Sequence, residues 1–421
     1  MLLGCIADDF TGATDLANML VRSGMRTVQT IGVPRGAAAT ANADAVVVAQ
    51  KTRTVPASEA VAQSLAALDW LRRSGARQFY FKYCSTFDST DAGNIGPVAD
   101  ALLDALGARF TIVCPAFPAN RRTIYLGQLF VGDVPLSESS MRDHPLTPMR
   151  DANLVRVLSR QTPRRVDLVP WAVVRAGRAA IRARFDELAA SGVTHAVVDA
   201  LEDADLMEIG AACAGLTLVT AGSGIALGLP QNFRADGSLP LRTNAALLPE
   251  AIGPAAILSG SCSEATRAQV ARWARSRPAF ALDPLSGDDA AAIAAKVLAA
   301  VDADLAAGLP FLVYSTADSA AVAAVQQRLG RDHAAALVES AFALLAQRLV
   351  ERGVRRLVVA GGETSGAVVL ALGIDALAIG REIDPGVPWT QSLGEPRLAL
   401  ALKSGNFGAV DFFDKALGLQ P

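Results

Sequence analysis

Two aspartates, Asp8 and Asp9, stand side by side in "IADDFTGATD", residues 6–15, directly after the first apolar stretch of the chain. Adjacent carboxylates repel and neither is easily buried. A pair at a probable strand end therefore asks for cations beside it. Cations and hydroxyls do recur at the ends of other probable strands. "QKTRT" supplies Lys51, Thr52, Arg53 and Thr54; "KYCSTFDST" supplies Lys82, Ser85, Thr86, Asp88 and Ser89; "CPAFPANRRT" supplies Asn120, Arg121 and Arg122. Ligands of open parallel sheets sit beyond the carboxyl ends of the strands. These residues make the edge of a pocket for an anionic polyol. Cations hold a carboxylate, and aspartates bind sugar hydroxyls, from one of which they can take a proton. The plainer alternative is that one aspartate caps the helix that follows, but a cap needs one and not two. Arg121 and Arg122 are the weaker part of the set, since adjacent side chains cannot both point the same way.

A second set of strand ends is rich in glycine and serine: "LSGSCSEAT" (258–266), "VVAGGETSGAVV" (358–369) and "LKSGNFGAVDFF" (402–413). Glycine lets the backbone approach a phosphate, and the free N–H groups of a helix start bind the anion. Ser259, Thr364 and Ser365 add hydroxyl donors, and Glu363 could reach a magnesium ion or orient its water. One such turn is commonly a packing device; three in one domain point to a nucleotide. No G-x-x-x-x-G-K-[ST] sequence occurs, so the chain is not a P-loop enzyme. "TAGSGIA" (220–226) reads as a strand-to-helix turn. Phosphoryl transfer from ATP to a small acidic polyol would use both sets.

The elements that must carry these residues alternate. Apolar runs at 2–7, 27–33, 44–50, 78–83, 110–116, 194–200 and 216–222 read as strands, with helices over about 12–23 and 57–74. Residues 120–150 read as a hairpin plus an irregular loop, and the proline-rich stretch 228–254 as an interdomain connection. A second series follows, with strands at 255–260, 311–316, 356–362 and 397–404. Helices near 263–275, 287–305, 318–329 and 333–352 lie between them. The expected fold is α/β, with two domains (1–235 and 250–421), each a mostly parallel sheet flanked by helices. The active site is expected in the interdomain cleft.

Composition excludes several classes. The 421 residues are too many for one ordinary core, and 51% hydrophobic with 19% charged is globular. A net charge of −2, from 39 basic and 41 acidic residues, gives no field for nucleic acid. Five scattered cysteines without C-x-x-C, and three distant histidines, offer neither a disulfide framework nor a zinc site. No signal peptide and no unbroken apolar run of membrane-spanning length is found, so a cytoplasmic protein with no membrane partner is expected.

Four segments, "IADDFTGATDLANMLVRSGMRTVQTIGVP", "HPLTPMRDANLVRVL", "GGETSGAVV" and "LALKSGNFGAVDFF", resemble the four-carbon acid-sugar kinases over essentially the whole chain. "GMRTVQTIGVP" and "HPLTPM" are similar to the 3-oxo-tetronate branch. The resemblance implies a substrate-binding N-terminal domain, a nucleotide-binding C-terminal domain and ATP-dependent phosphorylation of the 4-hydroxyl of a four-carbon sugar acid. Nucleotide contacts carry over to Ser259, Gly361, Gly362, Glu363, Thr364 and Gly405, and "DDFTG" to the substrate side. Within that reading Asp8, Asp9, Arg53, Lys82 and Ser85 bind substrate. Asp9, ahead of Asp8, helps deprotonate the attacking hydroxyl, with Glu363 as the rival base. Magnesium is expected from ATP chemistry, with no visible ligand set, and a homodimer only from the general frequency of twofold assemblies. D-threonate and D-erythronate kinases share the end motifs and stay open. A non-catalytic sugar-acid sensor leaves the three glycine-rich strand ends unexplained. A nicotinamide oxidoreductase lacks its G-x-G-x-x-G followed by an acid.

Overall fold

Residues 3–7, LGCIA, present no polar face, and all five are buried. Such a strand must be covered on both sides. In the computed structural model, which describes residues 1–34, 42–144, 146–286 and 288–419, it runs inside a parallel sheet. The chain forms two compact units, Met1–Ala245 and Ala246–Pro421.

The first unit contains β1 Leu3–Ala7, β2 Thr27–Ile31, β3 Ala45–Ala49, β4 Gln78–Lys82, β5 Thr111–Cys114, β6 Arg122–Tyr125, β7 Gln128–Val131, β8 Val134–Pro135, β9 Val166–Val169, β10 His195–Val198 and β11 Leu218–Ala221. Eight of them lie in the order β2-β3-β1-β4-β11-β5-β10-β9, every pairing parallel. The remaining three, β6 to β8, make a small antiparallel sheet, the hairpin expected near residue 120. Chain order reverses around β1, which has β3 on one side and β4 on the other. Strand ends at such a switch point diverge and leave a crevice. Asp8, Arg53 and Lys82 all lie at the ends of these three strands.

The second unit contains β12 Ala255–Ser259, β13 Ala279–Ala281, β14 Phe311–Tyr314, β15 Arg356–Ala360, β16 Ala376–Asp384, β17 Val387–Ser392 and β18 Ala399–Lys403. The order β13-β14-β12-β15-β18 is parallel, and β17 and β16 continue it antiparallel. Trp273, Trp389, Phe412 and Phe413 anchor its core.

Several elements differ from the sequence reading. The strands β9, β13, β16 and β17 were not expected. β9 is VDLV and only partly buried, while β16 holds Gly380, Arg381 and Glu382 and has irregular register. Edge and hairpin strands with charges do not show the continuous apolar pattern of a covered parallel strand. The helix expected over 287–305 is two, Ala290–Ala300 and Asp302–Ala306, with Gly287 outside the described residues. Helix Pro230–Ala235 occupies the start of the expected connection. One helix, Arg331–Glu351, is long and apolar enough by length and composition to cross a membrane. It buries Ala341, Phe342, Leu345 and Leu349 and packs on helices Ala290–Ala300 and Gly362–Ala371.

Candidate active site

The three strands at the switch point run in register, Ala7 opposite Ala49 on one side and Lys82 on the other. Their ladder continues past the strand ends: Asp8 N–H donates to the Lys82 carbonyl, and Thr52 N–H to the Asp8 carbonyl. This fixes where the following side chains project. The Arg53 guanidinium closes on Asp8 with two hydrogen bonds of 2.9 Å, from Nε to Oδ2 and from Nη2 to Oδ1. Its Nη2 is also 2.8 Å from Asp9 Oδ1, and its Nη1 3.7 Å from Asp88 Oδ2. Lys82 Nζ, on a side chain buried to 5% exposure, lies 3.7 Å from Asp9 Oδ1. The two aspartates thus share one arginine, and Asp9 has a second cation.

Asp9 is also the cap of helix Phe10–Arg22, accepting from Gly12 N–H at 3.1 Å and from the Thr11 hydroxyl at 2.9 Å. The plainer reading was therefore right as far as it went, but the cap does not account for Asp8. Proton affinities separate the pair. Burial raises Asp8 above the usual carboxylate range, with Arg53 opposing it. At Asp9 burial acts the same way, yet Arg53, Lys82 and the Thr11 and Gly12 hydrogen bonds outweigh it and hold the carboxyl at about 2. Exposure separates them too: the Asp8 side chain is 8% exposed, the Asp9 side chain 27%.

Asp8, Asp9, Arg53 and Lys82 are thus brought together, with Asp88 at the margin. Ser85 is half-buried in the loop after β4 and makes no hydrogen bond to them among the described residues. Lys51 stands over the Phe10 ring at 5.5 Å, and Arg121 is exposed near Asp133. Asn94 was not anticipated. Its amide donates to the carbonyls of Thr52, Arg53 and Val55, pinning the loop that aims Arg53. An asparagine directly before a helix reads as a cap, which hides this role. The "HPLTPM" loop, whose Pro145 is outside the described residues, lines a cavity of about 940 Å³ with Ser89, Asp91 and Arg160.

In the second unit the glycine-rich ends of β12, β15 and β18 are laced together. Gly260 and Ser261 N–H donate to the Ala360 carbonyl, and Gly361 N–H to the Lys403 carbonyl. A Cβ at Gly260 would lie 2.1 Å from Thr364 Oγ1, and one at Gly405 2.5 Å from Ser261 Oγ. Gly361 has φ 126, open to glycine. Ser259 Oγ and Thr316 Oγ1 are 2.8 Å apart. Beside this junction is a cavity of about 770 Å³. Gly260, Thr316, Glu363 and Thr364 line one part and Leu282 and Val338 another. The volume suits a nucleotide-sized ligand, and the start of helix Gly362–Ala371 offers backbone donors to phosphates. Ser259, Gly361, Gly362, Glu363, Thr364 and Gly405 all lie at this junction. Among the described residues no cluster of three or more His, Cys, Asp or Glu side chains could hold a metal ion. Ser263, Thr266 and Lys403, which tie down the β18 end, were not singled out from the sequence.

Residues 3–229 match the family of sugar-binding N-terminal domains, and residues 256–413 that of nucleotide-binding C-terminal domains. The chain is 62% identical over 416 residues to a 3-oxo-tetronate kinase of Burkholderia multivorans, covering 99% of this chain and 96% of that one. It belongs to the four-carbon acid-sugar kinase family. A 3-oxo-tetronate kinase of Cupriavidus necator is 60% identical, with the same coverage. Among solved structures of the same fold, one from Salmonella typhimurium LT2 has a TM-score of 0.91 at 45% identity, covering 98% of each chain. One from Haemophilus influenzae has a TM-score of 0.85 at 44% identity, covering 99% of each. The family expected from the four sequence segments is borne out over the full length.

Proposed function

We propose that this chain is an ATP-dependent kinase that phosphorylates the 4-hydroxyl of a 3-oxo-tetronate, giving the 4-phosphate. The observation that carries the reading is full-length identity of 62% to a relative named for that activity. Residues 1–235 would hold the sugar acid and 250–421 the nucleotide, in a cytoplasmic enzyme of sugar-acid catabolism. A homodimer is part of the proposal on general frequency alone.

The residues of each unit fit these roles. Lys82 and Arg53 set a positive field around Asp9, the more exposed of the two aspartates. Asp9 accepts the 4-hydroxyl proton, while Asp8 holds Arg53 in place and Ser85 adds a hydroxyl at the rim. A carboxyl held at about 2 is a weak base. The transition state of phosphoryl transfer is loose, so the alcohol proton leaves late and position counts for more than base strength. Ser259, Gly362, Thr364 and Gly405 would take the phosphates through backbone and hydroxyl donors, while Gly361, whose N–H is spent on the Lys403 carbonyl, would let the backbone approach them. Glu363, exposed at the helix start, would face the magnesium hydration shell. ATP with magnesium supplies the phosphoryl group and neutralises its charge.

The test is coupled ADP release with magnesium and ATP over both enantiomers of 3-oxo-tetronate, D-threonate, D-erythronate and a five-carbon acid. Turnover confined to the oxo acids is expected. Preference for threonate or erythronate would move the assignment to another branch. Tight binding of an acid without ATP consumption would make the chain a sensor.

A further inference from the structure

Lys403 is the last residue of β18 and is fully buried. Buried lysines almost always have an acidic partner. Among the described residues no carboxylate pairs with this one. Its ammonium spends its three donors on neutral oxygens: Thr266 Oγ1 at 2.9 Å and the Ser404 and Gly405 carbonyls at 3.1 Å each. The Gly405 carbonyl is held from three sides, since Ser263 Oγ donates to it at 2.6 Å and Thr266 Oγ1 at 2.8 Å. A trans peptide points its N–H opposite to its C=O. Fixing the Gly405 carbonyl inward therefore turns the next N–H, that of Asn406, away from Lys403. This N–H has no protein partner among the described residues. The loop so held is tied to the other two glycine-rich ends, Gly361 N–H donating to the Lys403 carbonyl and Ser263 Oγ to the Gly405 carbonyl. Of the three, those after β12 and β15 line the cavity, through Gly260, Cys262, Glu363 and Thr364, and the loop after β18 lies beside them.

We propose that Lys403 is a positioning residue for the nucleotide phosphates: it orients the Gly405–Asn406 peptide so that its N–H faces the anion, and its unpaired positive charge favours that anion from beneath the loop. The inference rests on the nucleotide-binding reading of the second unit. It accounts for a feature that packing alone does not, a buried cation where a methionine would cost less. Burial alone pulls the Lys403 ammonium down to about 8. The charged groups carried by the elements around it, Glu264 on the helix of Thr266 and Asp411, Asp414 and Lys415 around the helix of Phe412, do not shift it. The charge is thus open to titration near working pH, and an anion beside it would raise its proton affinity.

The experiment is the affinity of the full chain for ADP with Mg²⁺, by calorimetry, from pH 7 to 9.5, for the wild type, Lys403→Met and Lys403→Arg. Nucleotide phosphates finish titrating near pH ~6, below this range. Wild-type Kd is expected to hold up to about pH 8 and then to rise by up to about tenfold per pH unit. Lys403→Met is expected to bind about 10- to 100-fold more weakly at pH 7, with no pH dependence. Its Gly405 carbonyl keeps the Ser263 and Thr266 donors, so the loop retains its fold. Lys403→Arg keeps a charge that does not titrate, and should bind more tightly than the methionine variant with a flat profile. A merely structural lysine would give a flat wild-type profile, and that result, or methionine binding like wild type, overturns the proposal. If a variant does not fold, the wild-type profile decides alone. Failure of the wild type to bind ADP at any pH would remove the nucleotide reading itself and this inference with it.

Discussion

Arg53 grips Asp8 through Nε and Nη2, both at 2.9 Å, and with the same Nη2 reaches Asp9 at 2.8 Å. The guanidinium is thus spent on protein carboxylates and holds together two aspartates that would otherwise repel. Arg53→Ala leaves Asp8 buried without a counter-charge, and removing one partner of such a pair costs about 3–5 kcal/mol. Thermal unfolding at pH 7 should show that loss, together with loss of turnover. Arg53→Lys keeps the charge but not the fork. It should retain most of the melting temperature while kcat/KM falls at least about tenfold. Unchanged stability and turnover in Arg53→Ala would remove the residue from this role.

The two aspartates predict different acid limbs. Asp9, held at about 2, stays ionised throughout the acid range of an activity assay. Asp8 is raised by burial and would titrate above the usual carboxylate range. With Asp9 as proton acceptor, kcat/KM should show no enzyme-derived limb between pH 7 and 5, and Asp9→Asn should lose about 10²–10⁴-fold. ATP itself titrates near pH ~6, so the profiles of wild type, Asp8→Asn and Asp9→Asn must be compared. A limb present in the wild type and absent from Asp8→Asn would report Asp8 protonation, through its hold on Arg53 or as the base. Only with near-wild-type turnover in Asp9→Asn would it transfer the role to Asp8. For stability the sign is set by the lowered Asp9 value. Its contribution is present above about pH 4 and is lost as pH falls towards 2.

Gly12 faces the cluster from the first turn of its helix. A Cβ there would lie 1.9 Å from Lys82 Nζ and 2.2 Å from Asp9 Oδ1. Alanine is otherwise the better helix residue by roughly 0.5–1 kcal/mol, which offsets part of the roughly 0.5–2 kcal/mol lost with the Asp9 cap, so Gly12→Ala should remain folded with a modest loss of stability. It should force Lys82 and Asp9 apart and lower kcat/KM by more than about tenfold, read by the coupled assay beside a melting curve. Wild-type turnover in this variant would mean that the close approach of Lys82 to Asp9 is not needed.

The parallel strands were legible because each is an apolar run bounded by polar residues, and the first aspartate pair was legible because its charge repulsion demanded a partner. Which of Lys51, Arg53 or Lys82 is the partner was not legible, since nothing local links Arg53 to residues 45 positions earlier and only the packing of β3 beside β1 brings it there. The contacts of Asn94 and Lys403 were not legible. Each acts through backbone carbonyls brought close by the fold, and a carbonyl has no signature in the sequence. The hairpin β16–β17 was missed for the opposite reason: its charges, glycines and proline resemble a loop, and only tertiary pairing makes it sheet.

The buried thiols set the alkaline limit of stability. Cys5, Cys114 and Cys213 are fully buried and free. Burial pushes Cys114 up to about 12 and the other two further. In the unfolded chain all three ionise from about pH 9. Above that pH the unfolded state binds fewer protons than the folded one, so stability must fall. Each thiol contributes about 1.4 kcal/mol per pH unit, so the three together lose about 4 kcal/mol per unit. Lys403 works in the opposite direction between about 8 and 10.5, where the unfolded chain still holds a proton that the folded chain has released. Lys403 belongs to the second unit and the three thiols to the first, so each acts on the unfolding of its own unit. Denaturant unfolding at pH 8, 9 and 10 should show stability falling steeply above pH 9. Cys213→Ala should have the shallower fall in the first unit, and Lys403→Met should remove the rise in stability of the second unit between about pH 8 and 10.5. A wild-type stability that is level from pH 9 to 10 would mean that the thiols ionise in place.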